Sequence, residues 1–243
     1  MEPLNEFDSI WHLLTEGSPS VVSKHIKNGG EYNIQDKEGN NVLFDANTNL
    51  IPFLIEAGLD INHTNIYGKN ALFDAPFDKT KVLIEHGINI NQLSNENENA
   101  LFYWNDSRRG EYDKFKLLIE NGINYNQINI YNEHVLFLAN SWLTDFLLFH
   151  KEAKLNVNLL NSDGNHCMSA YFDNDMYQKL FLLVKAGFNI DHINFSDKYI
   201  KESQYYDFFL KKKFENDALK EKQVLSHLIT GDSIDYNHIK KRI

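Results

Sequence analysis

The chain has 243 residues, 42% apolar and 13% aromatic, enough to fill a packed interior. Its 34 acidic against 24 basic side chains give a formal charge of −10, which repels phosphate backbones and argues against direct nucleic-acid binding. A single cysteine, Cys167, excludes an internal disulfide framework, and no apolar run approaches the roughly 20 residues needed to cross a bilayer.

The first residues, Met1 to Glu6, are acidic and lack the basic flank and long apolar stretch of a secretion signal. A soluble cytoplasmic protein with no membrane partner is expected. Next come Trp11-His12-Leu13-Leu14-Thr15-Glu16-Gly17 and Val21 to Gly29, two apolar stretches that each run into glycine. Gly39-Asn40-Asn41-Val42-Leu43-Phe44-Asp45-Ala46 then opens a phrase that returns 29 residues later as Gly68-Lys69-Asn70-Ala71-Leu72-Phe73-Asp74-Ala75. Worn copies follow as Asn97-Glu98-Asn99-Ala100-Leu101-Phe102 and Asn132-Glu133-His134-Val135-Leu136-Phe137, and a fifth starts at Gly164. A period in this range predicts a solenoid of stacked units.

Each unit has two halves. After the phrase comes a short predicted first helix, then a second apolar stretch that ends in glycine: Leu50–Gly58, Lys81–Gly87, Phe115–Gly122 and Leu180–Gly187. The terminal glycine suits the left-handed position that closes a helix. Leu59-Asp60-Ile61-Asn62 and its later equivalents alternate apolar and polar residues and predict an extended finger leading into a turn. The third unit is lengthened by Asn105–Asp113, and the fourth replaces its closing glycine with Phe149–Ala153.

These units resemble the ankyrin repeat. Asn41, Asn70 and Asn99 stand where that family places its Thr, Phe44, Phe73, Phe102 and Phe137 replace its His, and Leu43, Leu72, Leu101 and Leu136 keep its buried Leu. The resemblance covers about residues 8–194. It implies an all-α solenoid of helical pairs with short finger loops: a degenerate N-terminal capping repeat over 1–35, about five units over 36–194 and a helical cap over 195–243. Within that cap, Tyr199–Phe214 and Asp217–Ile229 have helix-forming compositions. Residues 198–243 hold ten Lys/Arg against seven Asp/Glu, leaving 14 against 27 in the remainder. Lys211-Lys212-Lys213 and Lys240-Lys241-Arg242 are solvated charge runs or, on a rival reading, a basic contact patch.

The sequence offers little chemistry. There is no His-Glu-x-x-His, no paired cysteine and no phosphate loop, so neither metal nor cofactor is expected. His166-Cys167 falls inside the fifth copy of the phrase, where a buried small residue beside a capping polar one accounts for it without catalysis. The repeated asparagines read as backbone ligands at the turn, with His134 in the equivalent place.

In ankyrin architecture the fingers and first helices form one concave face, which here would carry the tips Lys37-Glu38, Ile66-Tyr67, Asn95-Glu96, Ile130-Tyr131 and Ser162-Asp163. The expected partner-binding residues are Glu38, Asn40, Asp45, Tyr67, Lys69, Asp74, Glu96, Glu98, Tyr103, Trp104, Tyr131, Glu133 and Asp163, acids interspersed with rigid aromatics. Together they predict a non-enzymatic module that captures a basic protein. An immunity protein neutralising a toxic nuclease fits best; a secreted effector or viral adaptor engaging a host protein, or a multi-partner scaffold, fits the same features.

Overall fold

Asn41 sets a pattern that the next two repeats follow in full. Its Oδ1 accepts from the Leu43 amide at 3.1 Å, and its Nδ2 donates to the carbonyl of Asp60 at the far end of the same unit. Asn70 repeats this with Leu72 and Asn89, and Asn99 with Leu101 and Asn124. All three side chains are buried, so each starts a turn and ties the two ends of its unit together inside the protein. His134 keeps only the second bond, Nε2 to the Asn156 carbonyl at 2.9 Å.

The computed structural model describes residues 6–103, 111–139, 141–149, 155–167, 176–193, 204 and 206–230. The helices are α1 (Glu6–Glu16), α2 (Pro19–Lys27), α3 (Ile51–Glu56), α4 (Phe77–Glu85), α5 (Glu111–Glu120), α6 (Ser141–Phe149), α7 (Met176–Lys185) and α8 (Tyr206–Thr230). Among the described residues there is no strand, only isolated antiparallel bridges at Gln35–Asn41 and Leu160–His166. The chain divides into two compact units, Met1–Ile130 and Tyr131–Ile243.

In the first, α1 and α2 come first, and α2 ends as the later helices do: the Gly30 amide reaches the His25 carbonyl, with Gly29 at φ +79°. α3, α4 and α5 close in the same way, Leu59 to Leu54, Ile88 to Leu83 and Ile123 to Leu118, around Gly58, Gly87 and Gly122 at φ +85° to +100°. That six-to-one bond around a left-handed glycine satisfies carbonyls the helix leaves orphaned. Leu14, Leu43, Leu54, Leu72, Phe73, Leu83, Leu101 and Leu118 form the shared spine, each almost wholly buried.

The predicted first helix is reduced. Val42–Phe44 and Ala100–Tyr103 are single 3-10 turns, and Ala71–Asp74 is no more than a turn. The reason is length: Phe44 lies only seven residues before α3, too few for a second α-helix and its connection. Two lysines support these turns. Lys79 and Lys114, both buried, donate to the Phe44 and Phe73 carbonyls at 2.7 and 3.5 Å, reaching back from one repeat to the opening turn of the one before. Burial lowers the Lys79 ammonium to about 8, against partial support from the charge of Asp45.

In the second unit Val135–Phe137 is the opening 3-10 turn, and Leu136, Leu143, Leu147, Leu180 and Leu183 fill the interior. α7 ends in the same closure, Phe188 to Leu183 around Gly187, and buried Lys179 donates to the carbonyls of Leu136 and Cys167 at 2.8 and 3.1 Å. α8 is one continuous helix where two stretches were expected; Glu215 and Asn216 carry no breaker between them. It caps this unit through Phe209, fully buried, and Phe208, edge-on to Phe181 at 4.7 Å. Lys213, Lys220 and Asn216 converge on Asp191, the two lysines hold its carboxyl down to about 2, and Lys212 pairs with Glu215. Those lysines serve the cap. Lys240–Arg242, the insertion Asn105–Gly110 and residues 150–154 lie outside the described residues.

Candidate functional site: the finger tips

Each finger closes on itself before it meets its neighbour. The Asp36, Asn65, Ser94 and Asn161 amides bond the carbonyls four residues on, at Asn40, Lys69, Glu98 and Asn165. Their side chains accept from two further amides across the tip, as Asn65 Oδ1 does from Tyr67 and Lys69. The turn requires a left-handed residue: Gly39, Gly68 and Gly164 supply it, and asparagine does so at Asn97 and Asn132, with φ +62° and +60°.

The tips then stack through a ladder of main-chain bonds. In the first unit the Ile66 amide donates to Glu38, Asn95 to Tyr67 and Ile130 to Glu96, all at 2.8–3.0 Å. His63, Gln92 and Gln127 reach back to the carbonyls of Gly39, Gly68 and Asn97. A second row lies at the base of the fingers, where Asn62 and Asn91 accept from the Asn89 and Asn124 amides of the following repeat.

This ladder brings Glu38, Tyr67 and Glu96 side by side, and all three are exposed. Exposed Ile66, Ile128 and Ile130 run along the same tips, an apolar component that the sequence reading did not include among the contacts. Behind the tips, Asn40 bonds Asn65, Lys69 is half-buried, and Glu98 holds Asn129 Nδ2 at 3.1 Å. Asp45 and Asp74 are exposed on the opening turns, and the Trp11 indole donates to Asp45 at 3.2 Å. Trp11 escaped the sequence reading because it stands on α1, ahead of the first copy of the phrase.

Tyr103 is the most constrained member. Its ring stands edge-on to Phe73 at 5.2 Å, and its hydroxyl bonds Glu98 and Ser94. Burial, that bond and the charges of Glu98 and Glu96 push its ionisation above the ordinary phenol range. The Lys69 ammonium sits 4.0 Å from the ring centre. Trp104 lies outside the described residues.

In the second unit the Ser162 amide donates to Tyr131, and Asn161 Nδ2 to Glu133 at 2.9 Å, with Asp163 exposed beside them. Cys167 is buried, and burial pushes its thiol up to about 11, opposite to what a nucleophile needs. The His166 ring lies tilted against His192, 4.3 Å between ring centres, its ionisation lowered by burial and by that neighbour. His166 and Cys167 stand where the earlier copies of the phrase place Asn41-Val42 and His134-Val135.

A glycine-closed helix, a preceding turn bonded by a buried polar residue and a tip that stacks on the next tip define the ankyrin-repeat fold. The chain is similar to the crystal structure of an ankyrin repeat domain from Acinetobacter baumannii AYE, at TM-score 0.61 and 21% identity over 76% of this chain and all of that one. No protein-family model matches the sequence, and no curated protein does. No described helix is long and apolar enough to cross a membrane.

Proposed function

We propose that the chain is a cytoplasmic binding protein that captures a basic protein on its acidic finger-tip surface and inhibits it, as an immunity protein covers the cationic surface of a toxic nuclease. The observation that carries this reading is the row of exposed Glu38, Tyr67 and Glu96, with Glu98, Asp45 and Asp74 behind it. Tyr131, Glu133 and Asp163 extend the same chemistry in the second unit. A nuclease must present positive charge to its substrate, and an acidic face bearing rigid aromatics complements that surface while excluding the phosphate backbone itself. Such a face acts chiefly on the encounter rate, so its signature is salt dependence.

The test is association kinetics with a purified basic nuclease domain, sought first among the genes neighbouring that of this chain. Reversal of Glu96, Glu98 and Glu133 to lysine should slow association at least about tenfold at low ionic strength, with the difference shrinking as salt rises. Unchanged on-rates would reject the reading.

A further inference from the structure

Lys69 is the one basic residue in the row that follows the left-handed tip position, where its counterparts are Asn40, Glu98, Glu133 and Asn165. Its ammonium makes no ion pair among the described residues. It lies instead 4.0 Å from the centre of the Tyr103 ring and 5.8 Å from that of Tyr67. The acids of the neighbouring finger, Glu96 and Glu98, act on the same ring, whose hydroxyl is bonded to Glu98.

We propose that the face of Tyr103 is a seat for an arginine side chain of a basic protein partner, and that Lys69 is a resident cation which such an arginine displaces. This rests on the acidic-surface reading above and names the group that the surface recognises.

Four features fit a cation seat. Phe73 braces the ring from its side, so the seat is preformed. A phenol that donates to a carboxylate is richer in electrons, and its face attracts a cation more strongly. Glu98 is fixed by Asn129 and by Tyr103 itself, which leaves exposed Glu96 to receive an incoming guanidinium. Tyr67, exposed at the adjacent tip, flanks the approach.

Arginine is favoured over lysine because its planar group stacks on a ring while its edge forks to a carboxylate, and because it is more weakly hydrated. Lys69 shows where the charge sits. Its compact ammonium cannot use ring and carboxylate in the same way, so an arginine presented from outside competes well.

The full chain would be titrated at low salt with a glycine–arginine repeat peptide, its citrulline counterpart and its lysine counterpart. Lys69→Met should bind the arginine peptide about five- to tenfold more tightly than the wild type, because the resident cation is gone and the apolar stem remains. Adding Tyr103→Phe should keep part of that gain, because the ring remains without the bond to Glu98, and adding Tyr103→Leu should abolish it. Should the Leu variant fail to fold, the peptides decide: in Lys69→Met the arginine peptide should exceed the lysine peptide severalfold.

Equal or weaker binding by Lys69→Met overturns the seat. So does a gain that persists with Leu at 103, or equal affinity for arginine and lysine peptides, because charge removal alone would explain either. If wild-type binding falls on Glu96→Gln and Glu98→Gln while Lys69→Met gains nothing, the seat fails and the acidic surface stands. If no variant binds any cationic peptide, both fail.

Discussion

Replacing Asn70 by alanine removes two bonds from a side chain with no exposed surface. The Leu72 amide loses its acceptor at 3.1 Å and the Asn89 carbonyl loses its donor at 3.0 Å. Alanine offers neither partner, and the vacated space lies between Leu72 and the loop after α4, where water has poor access. Each stranded group costs about 1–3 kcal/mol, so the variant should lose about 3 kcal/mol. With a urea slope of about 2 kcal/mol/M, the midpoint followed by far-ultraviolet circular dichroism should fall by about 1.5 M, with the slope unchanged. Asn70→Asp supplies the control. It keeps the acceptor for Leu72 but sets a carboxylate against the Asn89 carbonyl, so it should be at least as unstable at neutral pH. Its carboxyl would be protonated more readily in the folded than in the unfolded chain, so it should recover part of the loss as pH falls through the range of that raised ionisation. A loss below about 1 kcal/mol for alanine would refute the claim that this residue ties the repeat together.

Lys79 ionises at about 8 in the folded chain against 10.5 unfolded. The unfolded chain therefore binds more protons between those values, and this group adds stability as pH rises through that window, up to about 3 kcal/mol. Lys79→Met should flatten the pH dependence of the urea midpoint there; an unaltered profile would contradict it. Gly68→Ala should cost about 2 kcal/mol, because residue 68 sits at φ +74° and a Cβ would lie 2.8 Å from Asn95 Oδ1 and 3.1 Å from its amide nitrogen; thermal unfolding measures it. Asp191 has its carboxyl lowered to about 2, so the stability it contributes is complete above its ordinary value of 3.8 and is lost as pH falls from there toward 2. The lysines it holds are partly exposed, so Asp191→Asn should cost no more than about 1 kcal/mol, and amide exchange in α8 should rise.

The repeat and its finger tips were legible because both depend on local chemistry. A glycine after an apolar run, or an asparagine before Leu-Phe, has the same consequence wherever it stands. His134 could be read as a substitute for asparagine from its place in the phrase. The reduced first helix was less visible: helix propensity is a property of residues, whereas the 3-10 turns follow from the short distance between Phe44 and Ile51. The buried lysines were missed because lysine ordinarily lies in solvent. Their signal is positional, since Lys79, Lys114 and Lys179 each stand eight residues before a closing glycine. In the candidate site, the sequence placed Glu38, Tyr67 and Glu96 on neighbouring tips. It could not place the Lys69 ammonium on Tyr103, because that contact joins two repeats through side-chain direction.

The tip ladder runs from amide to carbonyl, and the side chains of Glu38, Tyr67 and Glu96 supply none of its rungs. Structure and vocabulary are thereby uncoupled: a lineage, or a designer, can rewrite those positions without reopening the question of whether the chain folds.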